Sequence, residues 1–296
     1  MKIYDCFMFF DEELLLDVRL HELNKYVKKF IITESKYTHS GKERKLLFDI
    51  KKFSKFKEKI DYIVLENEPK NISKILHNDT ENSKNSKFIM NAVIRENYQR
   101  NCLMKGLKNA GENDLIMISD LDEIPNLEKK NLSNISSKII LFEQKNFYYK
   151  FNLFLENFKW YGTKACKFKY LKSPQWLRNI KSKKYDFYRF DTFFSKTKYQ
   201  DICFLSDGGW HFSYLKDAKS IETKLKSYLH HREYDLDPLG AEKINELINS
   251  NIPVYNLRAD MKQSKFKSDF KLVKLETHEL PKYVKENMHL FKEWFI

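Results

Sequence analysis

The chain opens with short apolar runs separated by an amphipathic stretch, and that alternation restricts the fold more than any other feature. Residues 2–10 form an apolar, aromatic-rich run interrupted by Asp5. Leu16, Leu20, Leu23 and Val27 then recur every three or four residues, which places them on one face of a helix. Asp11 stands where a helix cap is expected, and Glu12 and Glu13 would complement the positive end of the helix dipole. Residues 30–33 follow as a short buried strand. A strand–helix–strand unit of this length joins parallel strands, so the opening predicts an α/β protein.

Further along, a third strand is expected at 62–65 and a polar surface loop at 69–87. A long helix is expected from about residue 87 to 109, with Ile89, Val93, Leu103 and Leu107 on its apolar side and Gly111 ending it. Leu115, Ile116, Met117 and Ile118 read as a buried central strand. The second half promises aromatic strands at 139–142, 147–151 and 166–171, then helices at 218–230 and 241–249. With no internal repeat and no clear linker, one α/β domain over residues 1–296 with a mixed central sheet is the expectation.

Composition narrows the class. A chain of 296 residues can bury a sizeable core without disulfides. Its 24 Phe and 17 Tyr against 7 Gly and 6 Pro exclude a disordered or fibrous chain. Cys6, Cys102, Cys166 and Cys203 are scattered, with no CxxC pair, which suits buried thiols in a reducing compartment. The N-terminal apolar run is too short for a membrane span and lacks a cleavage site, so a cytoplasmic location is expected. Lys plus Arg exceed Asp plus Glu by 54 to 41, a net charge of +13. Such a field attracts nucleic acid, anionic membrane surfaces or phosphorylated ligands. The lysines are dispersed, however, so most belong to a solvated surface. Charge alone leaves peripheral membrane contact open, and nucleic acid is not the expected partner.

The segment carrying chemistry is Ser119-Asp120-Leu121-Asp122-Glu123-Ile124-Pro125, directly after the central strand. Residues two apart on an extended chain face the same way, so Asp120 and Asp122 pair while Leu121 turns into the core. Ligands of open α/β sheets bind beyond the carboxyl ends of the strands. Two neighbouring carboxylates there repel each other unless a cation bridges them, and Mn²⁺ or Mg²⁺ with a substrate phosphate resolves that conflict. A lone Asp-x-Asp is weak by itself, because capping a turn is its ordinary structural use.

Four ordered segments add weight: residues 9–20, 32–42, 95–101 leading into 119–125, and Gly208-Gly209-Trp210-His211-Phe212-Ser213-Tyr214 followed by His231-Arg232-Glu233. Together they resemble glycosyltransferase family 17, the β-1,4-mannosyl-glycoprotein N-acetylglucosaminyltransferase family. That resemblance implies a GT-A type fold, with a Rossmann-like nucleotide-binding half at 1–125 and an acceptor-binding half at 126–296. It also implies a UDP-sugar donor, inversion at the anomeric carbon and a metal held by Asp120, Asp122 and His211. Glu34, Ser35, Thr38, Gly41 and Lys42 lie where a nucleotide-binding loop would follow a strand; a surface turn with a solvated lysine is the equal alternative. Arg100 or Asn101, rather than Arg95, is expected to reach the ligand, against helix-surface ion pairs. Asp207, beside a flexible Gly208-Gly209 pair, is the candidate general base, with Glu143 and Glu233 behind it; a turn-forming role is the simpler account of Asp207. Trp160, Tyr148 and Tyr149 are candidates for a sugar platform, although core packing explains each.

Family members that act on eukaryotic glycoproteins carry a membrane anchor, and none is visible here. A surface polysaccharide or lipid-linked glycan is therefore the expected acceptor. Two rivals stand: a Mg²⁺-dependent phosphoryl or nucleotidyl transferase, and a basic nucleic-acid-binding module. The first predicts a phosphate loop, and no G-x-x-x-x-G-K-S/T signature is present. The second predicts salt-dependent oligonucleotide binding that is indifferent to the acids.

Overall fold

The computed structural model describes residues 1–296 except 129, 187, 229–230, 258–264, 267 and 269. β1 (Ile3–Met8), α1 (Glu13–Leu23) and β2 (Lys29–Ser35) make the expected first crossover, and β3 (Ile60–Leu65) extends it. After α2 (Glu81–Asn101), β4 (Leu115–Asp120) adds to the free side of β1, so that β3, β2, β1 and β4 all run parallel. β5 (Glu123–Pro125), β6 (Ile139–Tyr148), β7 (Leu153–Phe154) and β8 (Lys164–Lys167) follow. β8 runs antiparallel to β4 and β6, which makes the sheet mixed. α3 (Pro174–Asn179) and the single turn α4 (Asp191–Phe194) precede β9 (Ile202–Ser213), which lies parallel to β6 and antiparallel to β5. α5 (Ala218–Ser227), α6 (His231–Leu236), α7 (Gly240–Asn249), β10 (Val273–Lys274) and α8 (Lys282–Glu286) complete the described elements. Among the described residues ten strands form one sheet, ordered β10-β7-β6-β8-β4-β1-β2-β3, with β9 branching from β6 and β5 pairing with β9.

Both faces of the parallel strands are covered, which is why they read as continuous apolar runs rather than alternating ones. Phe7, Phe30, Ile32, Leu115 and Met117 face the α1 side and pack with Leu16, Leu20, Leu23 and Val27. Tyr4, Cys6, Ile31, Ile116 and Ile118 face the other way and meet Leu103 and Leu107. Each fully buried aliphatic side chain contributes about 1.5–3 kcal/mol relative to exposure. The four cysteines are unpaired, three of them buried.

Several boundaries differ from the sequence expectations. Helix α1 starts at Glu13 after Glu12, not after Asp11; Asp11 instead pairs with Lys216 from beyond β9. Helix α2 starts at Glu81, capped by Thr80, whose Oγ1 accepts the Ser83 N–H at 3.2 Å. Its first turns are polar and solvated, so apolar periodicity could not reveal them, and Ile89, expected in the core, is 46% exposed. The buried residues of α2 are Asn91, Ala92, Gln99 and Arg100: Asn91 bonds the Ser73 backbone, while Gln99 and Arg100 reach the cleft described below. The expected strands at 139–142 and 147–151 fall largely in one strand, β6, while that at 166–171 shortens to β8. The helix expected at 218–230 ends as α5 at Ser227, and residues 229 and 230 lie outside the described ones.

Candidate active site

A cavity of about 490 Å³ opens at the carboxyl ends of the parallel strands, a volume typical of small-ligand sites. Asp120 and Asp122 both line it, and Leu121 between them reaches the core. The turn that presents them is tied down from below. Arg19 of α1 is fully buried and forms a two-pronged ion pair with Asp5 at 2.6 and 2.8 Å. Its remaining donors bond the carbonyl oxygens of Asp120, Leu121 and Glu123 at 3.2, 3.1 and 2.8 Å. The charge that interrupts β1 is thus half of a strut under the Asp120–Asp122 turn.

Glu123 supports the same turn from the side. Its buried carboxylate accepts the Asp120 N–H at 2.7 Å, the Trp160 indole N–H at 2.8 Å and the Arg178 guanidinium at 2.8 Å. Gly162 leaves room for it, since a Cβ there would lie 2.4 Å from the Glu123 carboxyl carbon.

The two cavity acids are compensated differently. Asp120 accepts from Arg100 on α2 and from Arg178 on α3, each at 2.9 Å, one oxygen apiece. Burial pushes its pKa upward, but the two guanidinium groups hold the carboxyl well below the usual carboxylate range. Asp122 meets the Lys224 ammonium of α5 at 3.0 Å, and Glu12 lies 3.4 Å from the same ammonium. Burial would lower the Lys224 pKa, yet Asp122 and Glu12 hold it well above the usual lysine range. Three cations therefore converge on the acidic pair.

His211 completes this corner. It stacks on Trp160 at 4.7 Å between ring centroids, and its Nε2 stands 3.8 Å from Asp122 Oδ1. Burial lowers its pKa against the opposing pull of Asp122 and Glu123, which favours the neutral imidazole a metal requires. Asp122 and His211 have the donor chemistry for a hard divalent ion, although their 3.8 Å separation is wider than the roughly 3 Å between adjacent ligands of an octahedral ion. Asp120, expected as a third, holds one oxygen against Arg100 and the other against Arg178, each at 2.9 Å. Among the described residues no group of three or more acidic, histidine or cysteine side chains could hold a metal.

His211 owes its position to the glycines before it. Gly209 has φ +131°, and a Cβ there would lie 2.1 Å from the Ile124 carbonyl oxygen. A Cβ on Gly208 would lie 2.6 Å from the Glu143 nitrogen. The pair expected to be flexible is instead wedged where β9 crosses β5 and β6. The register between β6 and β9 shifts here, and Asp207 sits exposed in the bulge at φ +47°. Asp207 lies off the cavity wall, and so do Glu143 and Glu233.

The segment after β2 divides. Ser35, Thr38 and His39 line the cavity, but Glu34 and Lys42 do not. Glu34 is buried and structural: it pairs with Arg44 at 3.0 Å and accepts the N–H groups of Leu47 and Phe48 at 2.8 and 3.1 Å. Lys42 is exposed. The expected tight turn is present, with the Gly41 N–H on the Thr38 carbonyl at 2.9 Å and the Lys42 N–H on Thr38 Oγ1 at 2.9 Å. Gly41 is required twice, by φ +95° and by the Arg95 guanidinium filling the space of its missing Cβ. Of the two choices on α2, Arg100 reaches the cavity, whereas Asn101 accepts the Gln175 N–H at 3.0 Å. Trp160 and Tyr148 line the cavity and Tyr149 does not. Sequence reasoning missed Glu12, Glu96, Arg178 and Lys224. The run residues 9–20 contained Glu12, but Arg178 and Lys224 sit in unremarkable helices and carried no local signal.

Sheet and cleft define an α/β protein that gathers cations around paired acids where its parallel strands end, an arrangement suited to an anionic ligand. The chain belongs to glycosyltransferase family 17, whose family model matches residues 1–295, and it is a glycosyltransferase. A nucleotide sugar is accordingly the class of donor, and a glycan the class of acceptor. A search of curated proteins found no match.

Proposed function

We propose that this chain is a GT-A type, inverting, metal-assisted enzyme that moves a sugar, N-acetylglucosamine first among them, from a UDP-sugar to a glycan or lipid-linked glycan. The observation that carries the reading is the convergence of Arg100, Arg178 and Lys224 on Asp120 and Asp122 at the strand ends. Departure of a nucleoside diphosphate leaves negative charge on its phosphates, and fixed cations aimed there stabilise the transition state more than the ground state. Lys224 and Arg178 would make such contacts. Asp122 and His211 would hold one Mn²⁺ or Mg²⁺, which supplies further positive charge to the diphosphate when bound. Ser35 and Thr38 supply hydroxyls for the nucleotide, and Trp160 a face for a sugar.

Inversion needs a base for the acceptor hydroxyl. The cavity carboxylates besides Asp120 and Asp122 are Glu12 and Glu96. Burial pushes Glu12 upward, but Lys216, Lys224 and the backbone N–H of Asp11 hold it down at about 2, which makes it a poor proton acceptor. Glu96, on α2 and paired with Arg100 at 2.8 Å, is the remaining choice. On this reading the nucleotide-binding half over residues 1–125 is joined at the diphosphate by Arg178, His211 and Lys224 from the acceptor-binding half, within one catalytic unit.

UDP release from a donor panel with Mn²⁺ or Mg²⁺ tests the proposal. Wild type should release UDP slowly from at least one donor, and Asp122→Ala should lose roughly a hundredfold or more of that activity. Absence of donor binding by calorimetry across the panel would overturn it.

A further inference from the structure

Between α3 and β9 the chain makes an excursion, residues 181–198, that the catalytic reading does not use. Its neck is closed by the Lys181 N–H on the Thr197 carbonyl at 2.8 Å and by the Trp176 indole N–H on the Lys196 carbonyl at 3.0 Å. From just beyond it, Gln200 Nε2 bonds Thr192 Oγ1 at 3.0 Å and the Asp186 carbonyl at 3.1 Å, and within it Asp191 pairs with Arg189 and Lys198. The backbone is thus braced, yet four large side chains among the described residues turn outward. Tyr188, Phe190, Phe193 and Phe194 are 59%, 73%, 70% and 91% exposed. Soluble surfaces rarely gather four such rings within seven residues unless something covers them.

The composition indicates what covers them. Residues 181–198 contain Lys181, Lys183, Lys184, Arg189, Lys196 and Lys198 against Asp186 and Asp191, so six cations face two acids. They contain no Leu, Ile, Val or Met. Aromatic rings ringed by lysine and arginine, without aliphatic side chains, match the interface of an anionic bilayer: rings sit at headgroup depth while cations meet lipid phosphates. A site that stacks nucleic-acid bases holds its rings against a groove, and a ring 91% exposed has no such support. No helix among the described residues is long and apolar enough to cross a membrane, so attachment here would be to one surface.

We propose that the 181–198 excursion is an interfacial anchor that docks the protein on anionic lipid. It is mounted on α3, the helix that also delivers Arg178 to the cavity, so docking would hold the catalytic cleft at the membrane surface.

Co-sedimentation of the full chain with vesicles tests this directly, and because it needs neither donor nor acceptor, its failure is separate from failure of the glycosyl-transfer reading. Phosphatidylcholine vesicles containing about one-third phosphatidylglycerol should bind the protein, and pure phosphatidylcholine vesicles should bind it at least about tenfold less. The double variant Phe193→Ser/Phe194→Ser and the double variant Lys183→Glu/Lys184→Glu should each lose about tenfold or more of the binding. Both should keep the wild-type melting temperature and UDP release, since these side chains are exposed and outside the cleft. Absence of vesicle binding would overturn the anchor. So would binding that both variants retain, which would assign it to the diffuse +13 field. Self-association or oligonucleotide binding lost in the Phe variant without vesicle binding would assign the patch to a second copy or to nucleic acid, and would equally overturn it.

Discussion

Lys224 faces two carboxylates at once, Asp122 at 3.0 Å and Glu12 at 3.4 Å, in the corner where a diphosphate would arrive. Its ammonium is held in place before any ligand binds, so little ordering remains to be done on binding. Replacing it removes one charge-assisted bond to phosphate, worth about 1.5–3 kcal/mol. Lys224→Met is therefore expected to weaken UDP binding by roughly ten- to a hundredfold, while Mn²⁺ affinity without nucleotide does not fall, because a competing cation has left Asp122. Calorimetric titration with UDP and with Mn²⁺, each alone, separates the two effects. Equal losses in both titrations would point to collapse of the corner instead. Nothing around Lys224 in the sequence marks it, whereas Asp120 and Asp122 are legible from their spacing after an apolar strand. The difference is physical: the acids are neighbours along one strand, and the lysine reaches them from 102 residues away.

At the scale of elements, α1 is locked to the end of β4 by a single side chain. Arg19 bridges Asp5 in β1 to three carbonyls in the turn that follows β4. Arg19→Met would leave Asp5 buried without its partner, a loss of about 3–5 kcal/mol. A melting temperature lower by roughly 5–8 °C is expected. Activity should fall even well below the melting point, because the carbonyls that fix the Asp120–Asp122 turn lose their donor. A melting curve and a UDP-release rate measured at low temperature check both halves. Unchanged melting would show that the strut carries no stability. The helical face of α1 could be read from its leucines, and Arg19 lies on that same face by its spacing, but its charge alone would assign it to the surface.

Across the whole molecule, the sign of the perturbed groups sets the response to acid. Burial lowers His39, His211 and His231 from the ordinary value of 6.5, so the unfolded chain takes up their protons first and stability declines as pH drops below that value. Glu12, depressed from 4.5 to about 2, and Asp120, depressed further, contribute stability that is complete above ordinary carboxylate values and is lost as pH falls through their folded values. Asp11 and Glu22, raised by burial, oppose this in part. Lys164, lowered by burial to about 7, adds a decline that begins already above pH 7. Melting temperature should therefore fall steadily on acidification from mildly alkaline pH, further below about 6.5, and most steeply below about 4.5. Glu12→Gln should flatten the most acidic portion. A melting temperature that rises on acidification would contradict the assignment.

The sequence alone determined the parallel core, because strands buried on both faces and a leucine-striped crossover leave few other arrangements. It also determined the place of Asp120 and Asp122, since a carboxylate pair beyond a buried strand has one address in such a sheet. Only the tertiary structure decided what meets those acids. His211 and one of Arg100 and Asn101 are expected there, but Arg178 and Lys224 come from separate helices, α3 and α5, and local pattern holds no record of distances set by packing. For the same reason Asp207, beside two glycines in sequence, proved remote from the cleft: the glycines answer to steric crowding between strands, and the bulge they permit carries the aspartate out to solvent.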